Sequence, residues 1–317
     1  MTAPLLLLLL LAACDPAVNP IVGEERPFTV WGFLDATADT QRVRVFAVED
    51  RLGDRRGGSI DAVVTSTDLT TGAARTWTDE EVTFADGTVG HVFWAPFRAQ
   101  HGHRYRLTVT RSDGAKTTAT VSVPHPVTVE MATSTTQPEL PVVIRGTPPQ
   151  LVGVAVEYEI LTVPPSFPWP PGTPAPPAHT VRVVAPYADV AERIEGGWAV
   201  RLDLQRDIPL IRDAVAARCL NPDLIALRRA RFRFLAADSS WAPPGGDFDP
   251  EVLIQPGVFS NVENGFGFFG AGVPFAQSWV AAEGLQAELG FRLIPPCARG
   301  PADLPECQVP DPPCLDG

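Results

Sequence analysis

The chain has 317 residues, with 25 Lys plus Arg against 37 Asp plus Glu, a formal charge of -12. An acidic surface of this size repels polyphosphates and argues against nucleic acid as a partner. The 34 prolines and 26 glycines, with almost no long helical periodicity, point to a mostly β chain broken by turns.

The chain opens MTAPLLLLLLLAAC. Its apolar run, Leu5 to Leu11, is too short to cross roughly 30 Å of hydrocarbon at about 1.5 Å per residue, so it reads as the h-region of a signal peptide. No Lys or Arg precedes it. Ala12 and Ala13 are small enough to enter a signal peptidase, which predicts residues 1–13 as the signal and Cys14 as a lipidated first residue. Each buried methylene contributes about 0.8 kcal/mol, so several acyl chains hold such a protein on a membrane. The expected location is the cell envelope, with the outer membrane favoured. Residues 14–25 read as a tether.

Phe28 to Leu34 alternates, and Gln41 to Val48 sets Val43, Val45 and Ala47 on one face against Arg42, Arg44 and Phe46. Ile60 to Leu69 and Val89 to Trp94 continue the pattern. In HGHRYRLTVT, the spacing Gly102, Tyr105, Leu107, Val109 precedes Asp113-Gly114, a hairpin turn tolerant of positive φ, and the strand Lys116 to Val123. Such a strand late in a sandwich packs its tyrosine inward and bonds the hydroxyl to a nearby loop. The expectation for residues 26–124 is an immunoglobulin-like β-sandwich.

Pro124-His125-Pro126 marks a boundary, and residues 125–297 are expected to form a second β-rich domain. Leu151 to Leu161, His179 to Ala185, Trp198 to Leu204 and Arg229 to Leu235 read as strands. Between the first two lies a proline-rich loop, Pro164 to Pro177, carrying Phe167 and Trp169. Ile208, Ile211, Val215 and Cys219 fall at helical spacing and predict one short helix, with Asp207 as N-cap and Pro209 in its first turn. Val258 to Trp279 is a glycine-rich aromatic run, Leu285 to Leu293 a closing strand, and residues 298–317 an irregular tail.

With Cys14 taken by lipid, four cysteines remain. In an exported chain an even remainder suggests two disulfides. Of the three connectivities, Cys219 with Cys297 and Cys307 with Cys314 is favoured; zinc is the competing reading, weakened by the lack of paired C-x-x-C spacing.

FTVWGFLDATADTQRVRV, IDAVVTSTDLTTG, GHRYRLTVT, RARFRFLAADSSW and above all VFSNVENGFGFFGAG carry a resemblance. Together they resemble an outer-membrane lipoprotein family of Bacteroidetes-type bacteria, a domain of unknown function with a closing Asn-x-x-Asn-Gly-x-Gly-x-Phe-Gly pattern. The resemblance implies a two-domain architecture and a role accessory to TonB-dependent outer-membrane transporters. It implies no catalytic residue.

Candidate contacts follow from residue chemistry. Asn261, Asn264, Gly265, Gly267 and Phe269 let backbone approach a partner and offer amides to a sugar or peptide, or else serve turns and core. Phe167 and Trp169 offer aromatic faces on a polyproline segment that loses little entropy on binding. His101 with His103, and Asp247 with Asp249, fall short of metal-ligand sets and read as loop and turn. Arg229, Arg231 and Arg233, opposite Ala230, Phe232 and Phe234, read as the solvent side of a half-buried strand, with anion binding the alternative. No nucleophile elbow, metalloprotease helix or phosphate loop occurs in the sequence. The reading is therefore a lipid-anchored binding protein without cofactor, its partner an outer-membrane transporter or cell-surface glycan. A surface hydrolase with a site between the domains and a structural or adhesive module are the alternatives.

Overall fold

The computed structural model describes residues 26–48, 58–85, 87–162, 179–241 and 261–293. The chain is mostly β, in packed sheets, as its composition and alternation predict. The first eight strands are β1 (Phe28–Asp35), β2 (Gln41–Ala47), β3 (Val63–Asp68), β4 (Ala74–Thr76), β5 (Thr78–Thr83), β6 (Val89–Ala95), β7 (Arg104–Thr110) and β8 (Lys116–Ser122). After Pro124 come β9 (Thr128–Met131), β10 (Ser134–Thr135), β11 (Glu139–Arg145), β12 (Gln150–Thr162), β13 (Thr180–Pro186), β14 (Glu192–Ile194) and β15 (Gly197–Asp203). Helix α1 (Leu204–Ala216) follows, then β16 (Ile225–Ala237), β17 (Val262–Glu263), β18 (Gly265–Ala281) and α2 (Glu283–Glu288).

One nine-stranded sheet runs through the molecule in the order β13-β12-β16-β18-β1-β2-β6-β5, with β10 also paired to β18. A five-stranded sheet (β17-β8-β7-β3-β4) and a four-stranded sheet (β14-β15-β11-β9) complete it. Phe269 and Ala271 of β18 lie in the core beneath the five-stranded sheet, Trp279 and Ala281 in the core beneath the four-stranded one, and Val273 packs against both. Alternate residues of one strand share a face, so both smaller sheets cover the same side of the long sheet. The result is two sandwiches in series.

The 17-residue β18 joins them. Its first half pairs in parallel with β1, Phe28 opposite Gly265 through Asp35 opposite Gly272, while its second half pairs antiparallel with β16 from Gly272 to Trp279. Such close parallel pairing needs glycine at one point. Gly267 has φ +94°, and a Cβ there would sit 2.0 Å from the Val30 carbonyl oxygen.

Tyr105 of β7 is buried, and its hydroxyl accepts from the Gln100 backbone N–H at 3.0 Å, as expected for a late sandwich strand. Gly114 takes φ +90° in the Asp113-Gly114 hairpin. Three expectations need correction. Helix α1 begins at Leu204, with Asp203 as N-cap accepting from the N–H groups of Gln205 at 2.9 Å and Arg206 at 3.2 Å. Asp203 ends β15 in an extended conformation, where its carboxylate meets the free N–H groups of the first turn; Asp207 lies within the helix, on its buried face. Residues 285–293 form no strand, because Leu285 and Leu289 turn inward at helical spacing around α2. The described residues thus contain two α-helices rather than one.

Candidate binding face

The side of the long sheet away from the two smaller sheets is its outer face. On β16 the inward residues Ala230, Phe232, Phe234 and Ala236 are core, which turns Arg229, Arg231, Arg233 and Leu235 outward. On β12, Val156, Tyr158 and Ile160 are core, which turns Glu157 and Glu159 outward; on β13, Val181, Val183 and Ala185 turn Arg182 and Val184 outward. Register then places Glu157 between Arg231 and Val184, and Glu159 between Arg229 and Arg182.

Four arginines and two glutamates therefore share one patch of an acidic molecule. Arg233 Nε lies 2.6 Å from Glu157 Oε1, and Arg229 Nη1 lies 3.7 Å from Glu159 Oε1. Arg182 and Arg231 make no ion pair with the described residues. Glu159 has a side chain only 19% exposed, and its Oε2 is buried without a hydrogen-bond partner. Glu157, Glu159, Arg182, Val184, Arg229 and Arg231 line a depression of about 290 Å³. At that volume it stands at the small end of ligand sites. A carboxylate without a partner for one oxygen is a strong acceptor waiting for a donor.

Farther along the same face, Trp241 packs edge-on against Phe33 and Phe268, with Trp31, Val152 and Leu235 around them. These aromatics close on one another and form a small third core.

The buried polar groups have structural partners. Asp207 Oδ2 accepts from the Tyr158 hydroxyl at 2.6 Å and the Tyr187 hydroxyl at 2.7 Å, tying α1 to the sheet. Burial pushes the Asp207 carboxyl up despite those bonds, and pushes both tyrosine hydroxyls up as well. Burial also pushes Asp238 up, against bonds from the Ser240 hydroxyl and the Ser122 N–H. For Asp68, burial is opposed by His103, whose Nδ1 lies at 2.9 Å, and by bonds from Thr70 and Thr71, which together hold the carboxyl at about 2.

The Asn-Gly-aromatic segment serves the fold. The Asn261 amide donates to the Phe269 carbonyl while its oxygen accepts from the Phe269 N–H at 3.0 Å, so one side chain stands in for a strand neighbour. Asn264 takes φ +51°, and its amide donates to the Lys116 carbonyl at 2.7 Å. Gly265, Gly267 and Phe269 are buried, which removes them as a contact surface. A Cβ on Gly265 would meet Thr117 Cγ2 at 2.4 Å. His101 Nδ1 lies 2.9 Å from the Pro124 carbonyl, apart from the His103–Asp68 pair. Among the described residues no cluster of three His, Cys, Asp or Glu is placed to hold a metal ion.

Cys219 is exposed, carries a free thiol and has φ +60° just past α1. Its expected partner Cys297 lies outside the described residues, as do Cys14, Cys307, Cys314, Phe167, Trp169, Asp247 and Asp249. The pairing of Glu157 and Glu159 against the β16 arginines was hidden in the sequence. Each strand displayed its own alternation, but nothing in it set the register between them.

No family model matches the chain, and no curated protein does. Among solved structures it is similar to the pullulanase of Anoxybacillus sp. LM18-11, at 11% identity and a TM-score of 0.19, over 66% of this chain and 23% of that one. It is also similar to the Dpr2 Ig1-Ig2 complex with DIP-Theta Ig1-Ig3, at 14% identity and a TM-score of 0.18, over 56% of this chain and 83% of that one. The chain thus spans less than a quarter of the pullulanase, and neither likeness is close enough to bear on what it does.

Proposed function

We propose that this protein is a lipid-anchored component of the cell envelope, held through Cys14, that acts by binding and has its contact surface on the outer face of the long sheet. The observation that carries the siting is the patch of Arg182, Arg229 and Arg231 around Glu159, an open depression with uncommitted donors and one uncommitted acceptor. Polar groups left in that state at a surface are suited to a partner of complementary charge. The leading partner is an outer-membrane transporter or a surface glycan at that membrane.

The test is recovery of tagged protein from gently solubilised envelopes, compared with Cys14→Ala and with Arg182→Glu/Arg231→Glu. Membrane recovery is expected to fall in the first variant alone, and near-stoichiometric recovery of a transporter or glycan to fall in the second while the protein stays on the membrane. Equal membrane recovery of Cys14→Ala would overturn the anchor. An unchanged partner yield with the charge-reversed face would overturn the siting.

A further inference from the structure

We infer that the depression between β13, β12 and β16 binds a sugar acid, a pyranose unit carrying a carboxylate with hydroxyl donors beside it. This rests on the reading of the outer face as the binding surface. Arg182 and Arg231 flank the depression and make no ion pair with the described residues, so a ligand carboxylate can take charge-assisted bonds from them without displacing an existing partner. Glu159 also lines the depression, and its Oε2 is shielded from solvent and unbonded, so its carboxylate gains a donor when the side chain turns toward a ligand hydroxyl. A single ligand that meets both needs carries an anionic group and a neutral O–H within a few ångströms of it.

That combination separates ligand classes. A phosphate dianion accepts from the arginines and carries one P–OH, but its second negative charge is set against Glu157 and Glu159. A neutral hexose supplies hydroxyls and leaves both guanidinium groups without a counter-charge. A sugar acid answers both and has an apolar C–H face. The Val184 side chain, 48% exposed and opposite Glu157 across the strand pair, gives that face an apolar neighbour. The depression of about 290 Å³ has room for one such ring and is open to solvent, so a ring within a longer chain can enter as well as a free one.

Calorimetric titration of the full chain with glucuronate, glucose, glutamate and inorganic phosphate tests the assignment. Glucuronate is expected to bind about tenfold or more tightly than glucose, which forms no charge-assisted pair, and more tightly than glutamate and phosphate, which lack the sugar ring with its hydroxyls and C–H face. Arg182→Gln/Arg231→Gln is expected to lose about that factor. Arg145→Gln, which alters an arginine paired with Glu130 within the four-stranded sheet and away from the depression, is expected to retain affinity. A uronate trisaccharide separates sources: tighter binding than glucuronate assigns a polymer, equal binding the free acid. No glucuronate binding at millimolar concentration, equal binding of glucose, glutamate or phosphate, or full affinity in the double Gln variant with an unchanged melting temperature would overturn the inference. Should it fail while the charge-reversed face still loses its envelope partner, the binding surface stands and only its ligand is reassigned.

Discussion

At Gly267 the cost of a methyl group can be estimated from geometry. Two penalties coincide there, a left-handed φ and a Cβ position 2.0 Å from the Val30 carbonyl oxygen. Left-handed backbone costs an alanine about 1 to 2 kcal/mol and overpacking commonly about 1 to 3. Gly267→Ala is therefore expected to lower stability by about 3 kcal/mol or more in urea unfolding. Gly114, also left-handed but with open space around its Cβ direction, isolates the backbone share. Gly114→Ala is expected to cost only about 1 to 2 kcal/mol; equal losses at the two sites would mean that the parallel contact with β1 is looser than described. Two carboxyls report in opposite directions on pH. Asp207 holds its proton more tightly in the folded chain, so its contribution is complete below the ordinary value of 3.8 and declines as pH rises through its raised folded value. Asp68, held at about 2, contributes above 3.8 and loses that contribution as pH falls toward 2. The urea midpoint measured against pH is expected to fall less steeply toward acid in Asp68→Asn than in the parent. In Asp207→Asn it is expected to decline less as pH rises above 3.8. Curves parallel to the parent's would refute the assignments.

At the scale of elements, legibility followed local period. The strands β2, β7, β12 and β16 were readable because one face of each is core and the other is largely polar, so a period of two appears in the letters. The first half of β18 shows no such period because Phe268 and Phe269 are buried on opposite faces, one against Trp241 and one in the sandwich core. Helix α1 was recognised but entered at the wrong residue. The buried face includes Asp207, a residue type that local reasoning assigns to caps, and its partners Tyr158 and Tyr187 come from distant positions. The candidate site failed to appear for a related reason. Alternation established that Arg229, Arg231 and Arg233 face solvent, but only pairing with β12 and β13 brings Glu159 and Arg182 beside them. The shared strand also sets cooperativity. Because β18 supplies backbone bonds to both β1 and β16, the two sandwiches are expected to unfold in one transition, with fluorescence and circular dichroism midpoints coinciding. Separate midpoints would show that the halves of β18 melt independently.

For the whole molecule, both smaller sheets lie on one side of the long sheet, and among the described residues no further sheet covers the opposite side. One stretch of that side is closed by Trp241, Phe33 and Phe268, and another carries the arginine-glutamate patch. A chain with a formal charge of -12 repels anions at long range, so binding of an acidic ligand by a local cluster of arginines has to overcome that field. Salt screens the distant repulsion more than the close contacts. Affinity for glucuronate is therefore expected to weaken less between low and physiological salt than at a uniformly basic site, and a steep loss would point to binding elsewhere on the molecule.

The parallel pair between β1 and β18 also governs how the chain comes into being. Synthesis proceeds from the amino terminus, so Phe28 to Asp35 emerge long before Gly265 to Gly272, the segment they must pair with. Until then one edge of β1 stands open, offering unpaired N–H and C=O groups and the side chains of Trp31 and Phe33 to any passing strand. The nascent protein thus spends most of its synthesis with an adhesive border through the middle of its future sheet. Its yield should depend on factors that shield that border until the last strand arrives.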